Sequence, residues 1–203
     1  ASDVYKRQMS LRTPLYQQHC DLGARMAPFG GWDMPLNYAG VLKEHAHVRT
    51  RCGVFDVSHM GEFFVRGPQA AAFLQLCTVN DINKLEIGQG QYSAMLNETG
   101  GFVDDLILYR TGTEEYLLCV NAGNIDKDYA WLQSHTGKFS ELTLENQSAS
   151  WGQIAIQGPE SAAVCQEVLG QVDPQALADL PYMAMMGVAL PGGEAWLART
   201  GYT

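Results

Sequence analysis

The sequence predicts an α+β protein built as two packed domains with antiparallel sheets and flanking helices. Three observations carry that class. QYSAMLN, FVDDLILYR and YLLCVN are strand-like runs separated by a Gly-Gly turn and a TGTEE turn, the pattern of an antiparallel meander. A strand followed by Gly-Pro and then a helix occurs twice, at residues 62–77 and 152–169, which hints at two similar units. Strands and helices otherwise mix without regular βαβ alternation, which separates the chain from the α/β classes.

Taken in order, residues 38–51 (YAGVLKEHAHVRTR) read as an amphipathic helix with Val41, His45 and Val48 on one stripe and Gly53 as a stop. Residues 62–66 form a short strand. Gly67-Pro68 then opens a helix through Cys77, with proline in the first turn, where its missing N–H costs nothing. After the loop TVNDINKLEIGQG come the three meander strands. Asn124 is placed to cap a helix through residue 134 whose buried side carries Ile125, Tyr129 and Leu132. Strands near 141–146 and 152–157 follow. Gly158-Pro159 opens a helix to Leu169, with Gly170 as its stop. Val188–Leu190 and Ala195–Arg199 predict a last hairpin across PGGE.

Composition narrows the function classes. The 203 residues are 46% hydrophobic and 17% charged, the balance of a globular protein with a real core. A formal net charge of −9 argues against general nucleic-acid binding, which needs a basic surface. It leaves room for an anionic small molecule held by a few arginines. No apolar run reaches the roughly 18 residues of a membrane span. The five cysteines, Cys20, Cys52, Cys77, Cys119 and Cys165, are odd in number and widely spaced, and are expected as reduced thiols in a cytosol-like compartment. Residues 1–9, up to Met9, match no element and lack the apolar stretch of a secretory signal. They are left as an extension of unassigned origin. RTGYT follows directly on a strand-like segment, so the chain is expected to continue in a longer protein.

The segment richest in chemistry is GGFVDDLILYR, residues 100–110. A strand sends successive side chains to opposite faces, so Phe102, Asp104, Leu106 and Leu108 are predicted on one face and Val103, Asp105, Ile107 and Tyr109 on the other. Aspartate is depleted in strands, and a buried unpaired carboxylate is costly. At least one of the two acids is therefore expected to face a cavity or ligand. The alternative, a solvated strand end for Asp105 or for both, is the one composition alone favours. His45 and His47 point apart on a helix and lack a third ligand, so no metal site is expected. His59 lies in a turn and reads as a hydrogen-bonded loop histidine, with catalysis as the sharper reading. Gly88 and Gly90 resemble a phosphate loop only superficially, because no helix start follows them. Tyr92 reads as core packing or as a stacking or hydrogen-bonding group.

FDVSHMGEF (55–63), QYSAMLNETGGFVDDLILYR (91–110), VNAGNIDKD (120–128), IAIQGPES (154–161) and RTGYT (199–203) occur in an order and spacing that resemble the glycine cleavage system T-protein (aminomethyltransferase) family. TPLYQQHCDLGARMAPFGGWDMPLNY (13–38) is similar to that family's N-terminal segment, and the match covers essentially everything after Met9. The resemblance implies transfer of the methylene of an aminomethyl group, carried on the lipoyl-lysine of H-protein, to tetrahydrofolate with release of ammonia. Tetrahydrofolate would be a co-substrate, lipoylated H-protein the partner, and neither metal, nucleic acid nor membrane is implied.

By the same resemblance Asp104 is the catalytic acid, near N10 of the folate, and Asp105 its structural neighbour. A carboxylate positioned in a tight cavity suits proton movement and stabilisation of positive charge. Met60, Tyr92, Asp104, Val120, Asn121 and Tyr202 match the family's folate-binding positions, with the Asn121 amide suited to the pterin edge. The sequence departs from the family in stopping at Thr203, before a Gly-Glu pair, a downstream arginine and a C-terminal β-rich domain. A piece with part of the pocket wall is expected to be inactive alone. The family's organisation implies a first, discontinuous domain at residues 10–58 plus 148–203 and an inserted antiparallel-sheet domain at 59–147. A related folate-dependent demethylase, the folate domain of a sarcosine- or dimethylglycine-oxidising enzyme, and a non-catalytic folate-binding scaffold are the alternatives. A bacterial-type cytoplasm, or a mitochondrial matrix in a eukaryote, is the implied compartment.

Overall fold

The structure, a computed structural model, describes residues 10–170 and 172–201. The N-terminal extension and Tyr202 lie outside the described residues. A short helix α1 (Tyr16–Asp21) leads into a hairpin of β1 (Arg25–Phe29) and β2 (Trp32–Asn37), followed by α2 (Val41–Thr50) and β3 (Gly53–Asp56). Next come β4 (Gly61–Arg66), α3 (Ala70–Cys77), β5 (Gly90–Leu96), β6 (Phe102–Gly112), β7 (Glu115–Val120), α4 (Ile125–Thr136) and β8 (Thr143–Asn146). The described chain ends with β9 (Ile154–Gln157), α5 (Ser161–Val168), α6 (Pro174–Asp179) and the hairpin of β10 (Ala184–Leu190) and β11 (Gly193–Arg199). The predicted α+β class with antiparallel sheets is the one that forms.

The site stands on a five-stranded sheet in the order β5-β6-β7-β4-β8, antiparallel at every pairing. All five strands come from residues 61–146, while β3 and β9 pair with each other from either side of that span. One face of the sheet carries Phe63, Val65, Met95, Leu106, Leu108, Leu118 and Val120 into a core closed by Phe73 and Leu74 of α3 and Leu132 of α4. The opposite face buries Phe64, Tyr109 and Leu117 against Met185 of β10, with Trp151 and Trp196 packed around them. β4 is consequently buried on both faces, which explains its apolar run of Phe63, Phe64 and Val65. Arg66 pins its outer end, reaching Glu115 of β7 at 2.6 Å and Glu145 of β8 at 2.7 Å.

The two Gly-Pro signals share one local geometry. Gly67 and Gly158 have φ of +119° and +113°, and a Cβ at either would stand 2.5 Å from a backbone oxygen, Glu141 O or Val48 O. Only glycine fits such a turn. The helix expected over 38–51 begins later, at Val41, because the Glu44 carboxylate accepts from the backbone N–H groups of Tyr38, Ala39 and Gly40 and holds them in a turn. Its apolar stripe is not buried. Val41, His45 and Val48 line a groove with Leu36 and Phe55 that stays open among the described residues.

His19 of α1 ties β3 to the segment that follows β2, its two ring nitrogens 2.9 Å from Asp56 Oδ2 and 2.6 Å from Tyr38 Oη. The Gly88–Gly90 loop is a tether whose three backbone N–H groups donate to Arg110 O, Glu86 O and Met183 O. Gly90 N–H donates to Met183 O and Met185 N–H donates to Gly88 O, joining the sheet to β10. Among the described residues no helix is long and apolar enough to cross a membrane.

Candidate functional site

The Gly100-Gly101 turn is closed by Asn97, whose Oδ1 accepts from Thr99 N–H, Thr99 Oγ1–H and Gly101 N–H. β6 then takes a bulge. Leu96 pairs with Phe102 and Met95 with Asp104, leaving Val103 as the extra residue. Val103 turns inward onto the core and Phe102 goes to the other side, 77% exposed, so the face predicted for these two residues is exchanged. Beyond the bulge the alternation is regular. Asp104 lies on the face of Met95 and Leu106, toward α4; Asp105 lies on the face of Ala94, Tyr92 and Ile107.

Asp105 faces the open side of the sheet, within a small constellation. Tyr92 Oη donates to Asp105 Oδ2 at 2.6 Å, and Asn121 Nδ2 donates to Asp105 Oδ1 at 2.8 Å. Each carboxylate oxygen thus has a fixed donor, and the group is oriented without being enclosed. Met60 is half-buried and directly precedes Gly61, which pairs with Val120, so Met60 and Asn121 leave adjacent strands side by side.

Asp104, the acid expected to carry the chemistry, sits differently from that expectation. Asn124 Nδ2 donates to its Oδ2 at 2.8 Å, and Asn121 Nδ2 and Asp105 N–H approach its Oδ1 at 3.1 and 3.0 Å. Burial pushes its carboxyl up, yet hydrogen bonds from Asp128, Asn124, the Asp105 N–H and Asn121 outweigh this and hold it below the usual carboxylate range. The side chain of Asn124 is spent on this bond. It makes no capping bond to its own helix, contrary to the expected cap. Val120 is fully buried in the core beneath α4, so its side chain supports the sheet and does not line the open face. Tyr202 lies outside the described residues.

Two buried acids were not anticipated. Glu62 of β4 pairs with Cys119, which pairs with Ile107, which pairs with Tyr92, so the four form one row across the sheet. Burial pushes Glu62 up to about 7, and its Oε2 meets no donor. Asp128 of α4 is fully buried behind Asp104; burial first, and the facing Asp104 carboxyl second, push it up to about 7. Cys119 is kept a thiol, pushed up to about 11 by burial, which removes it as a nucleophile near neutral pH. His59 lies in the expected turn before β4, buried, with its ring edge-on to Phe29 and its Nδ1 without the hydrogen bond expected there. Among the described residues no group of three or more His, Cys, Asp or Glu side chains is arranged to hold a metal.

Comparison with known proteins adds an independent line. The aminomethyltransferase of Deinococcus deserti is 50% identical over 192 residues, and that of Chlorobium luteolum 44% identical over the same length. Each alignment covers 95% of this chain and 52% of the relative, so the chain spans about half the length of the curated relatives it matches. The crystal structure of glycine cleavage system aminomethyltransferase T from Bartonella henselae superposes with a TM-score of 0.84 at 38% identity, covering 96% of this chain and 51% of that one. A heterotetrameric sarcosine oxidase from Corynebacterium, at 17% identity and a TM-score of 0.54 over 77% of this chain and 76% of that one, shares the fold alone. The model of the GCVT N-terminal domain matches residues 15–203, and the chain belongs to that family.

Proposed function

We propose that this chain forms the folate-contacting part of an aminomethyltransferase of the glycine cleavage system, with Asp105 as its reacting acid. The substrate would be an aminomethyl group on lipoylated H-protein and the acceptor tetrahydrofolate, with ammonia leaving and the lipoyl group left reduced. The observation that carries this reading is the Tyr92–Asp105–Asn121 constellation on the open face of the sheet. Family membership and the names of the relatives support the reaction class. Residues 59–147 read as an inserted domain between 10–58 and 148–203. Five unpaired thiols suit a reducing compartment such as the cytoplasm.

The residues present fit the folate. Tyr92, 58% exposed, offers a ring face for stacking, the Asn121 amide offers both donor and acceptor to a heterocycle edge, and Met60 supplies an adaptable apolar wall. When bound, the folate supplies the nucleophilic nitrogens that receive the methylene. Two protons must leave those nitrogens while the amine and the sulfur each gain one. Asp105 is the group placed to take and return such a proton, because its oxygens are held by Tyr92 and Asn121. Its negative charge also stabilises positive charge as the carbon–sulfur or carbon–nitrogen bond breaks. Asp104 is turned away from the open face and cannot share that contact without rebuilding the strand.

The test is Asp105→Asn in the complete protein carrying this chain, assayed for methylene transfer from aminomethylated H-protein to tetrahydrofolate. We expect a loss of about 10²- to 10⁴-fold in kcat, the range of a lost acid–base group. An unchanged rate in a folded variant would sink the assignment.

A further inference from the structure

Behind β6, on the side away from Asp105, two carboxyl groups meet. Asp128 is fully buried on α4, and neither of its oxygens finds a hydrogen-bond donor. The group against it is the Asp104 carboxyl. Lys127 Nζ, 3.6 Å from Asp128 Oδ1, faces the pair from the helix side, and Asp105 adjoins it along the strand, its N–H donating to Asp104 Oδ1. Lys127 is itself engaged with Val103 O at 2.6 Å.

Two carboxyls in contact, one of them fully buried, resist carrying two negative charges, so one proton lies between them until pH rises well above the ordinary carboxylate range. Its place follows from the donors. Asp104 accepts from Asn124, Asn121 and the Asp105 N–H, three bonds that favour its anion. Asp128 has none of these, so it keeps the proton and presents it to Asp104. That single proton turns an unsatisfied buried acid into a donor and a repulsive contact into a hydrogen bond. Asn121 connects this pair to the open face. Its Nδ2 stands between Asp104 Oδ1, at 3.1 Å, and Asp105 Oδ1, at 2.8 Å.

We propose that Asp128 and Asp104 share one proton and serve as positioning residues, fixing Asn121 and through it the carboxylate of Asp105. This rests on Asp105 being the reacting acid. The arrangement is intact while the shared proton is present and fails as pH rises and a second negative charge appears behind the strand. Transfer should therefore show an alkaline limb that belongs to the pair.

The test combines carboxyl carbon NMR titration with pH–rate profiles, both on the complete protein carrying this chain. In the wild type, Asp104 and Asp128 should titrate as a coupled pair, one step below and one above the ordinary aspartate range. Asp104→Asn should bring Asp128 downward. It should also lower kcat about tenfold or more, the scale of a misplaced reacting group, with a smaller change in KM for tetrahydrofolate. Asp128→Asn keeps a donor to Asp104 but has no proton to lose, and should abolish the alkaline limb. An Asp128 that titrates in the ordinary range independently of Asp104, or an alkaline limb that survives Asp128→Asn, overturns the proposal. Should Asp128→Asn fail to fold, the wild-type titration and Asp104→Asn make the same decision. The proposed function fails separately, through an unaffected Asp105→Asn.

Discussion

The two faces of the five-stranded sheet are made by the same strands and differ in how they are closed. Toward α3 and α4, Phe63, Leu108, Leu118 and Val120 are fully buried in a single apolar core. On the other face Phe64, Tyr109 and Leu117 are covered by Met185, Trp151 and Trp196, while farther along Tyr92, Asp105 and Asn121 are left open. Even the acids follow the division. Asp104, one residue from Asp105, is drawn into a network with Asn124 and Asp128, whereas Asp105 meets only side chains that also line the open face. A single strand can therefore hold the reacting group and its support back to back, with one peptide unit as the separation.

The largest expected difference between the faces is in stability. Leu118 has no exposed surface and lies at the centre of the closed face, so Leu118→Ala removes buried methyl groups and leaves a cavity. We expect a loss of roughly 2–5 kcal/mol in unfolding free energy by urea denaturation. The same measurement on Tyr92→Phe should move by less than about 0.5 kcal/mol, as for an exposed substitution. Comparable losses at both positions would mean that the open face is also a packing face.

Much of this division was legible in the sequence, and the rest was not for identifiable reasons. The meander, the Gly-Pro helix starts and the final hairpin follow from turn residues and apolar runs. The first hairpin is not among the predicted elements; Pro28 and Pro35 are unusual within strands but a two-stranded ribbon tolerates them, and Gly30-Gly31, with φ of +57° and +89°, make its turn. The bulge at Val103 directly follows the turn that Asn97 closes, and alternation counted from Phe102 does not contain it. Asp128 was visible in principle. Ile125, Tyr129 and Leu132 mark the inward stripe of α4, and position 128 completes its i, i+3, i+4, i+7 spacing with an acid. Glu62 carried a similar signal, being a charged residue in a strand otherwise buried on both faces.

The next difference appears with pH. Glu62 on the open side and Asp128 on the closed side are both pushed up to about 7 by burial. Between the ordinary carboxylate range and about 7, the folded state binds more protons than the unfolded chain, so stability is greatest on the acid side and falls as pH rises through this window. Asp104 acts oppositely, adding stability that is lost as pH falls through its depressed value. Glu62→Gln should flatten the decline between about pH 5 and about pH 8 in urea denaturation without abolishing it, since Asp128 still contributes. An unchanged slope would place the Glu62 carboxyl in water.

The smallest expected effect is also the most specific to the open face. Tyr92→Phe keeps the ring that would stack on a pterin and removes only the hydroxyl that donates to Asp105 Oδ2. A hydrogen bond to a charged group is worth about 1.5–3 kcal/mol where water is excluded, and less where the acceptor can be rehydrated. Because Tyr92 is 58% exposed, water replaces part of the loss in the free protein. The difference should therefore appear mainly in the transition state, as a fall of about tenfold in kcat with little change in KM for tetrahydrofolate. If KM rises and kcat is unchanged, Tyr92 contributes binding alone, and the orientation of Asp105 depends on Asn121 and the two acids behind it.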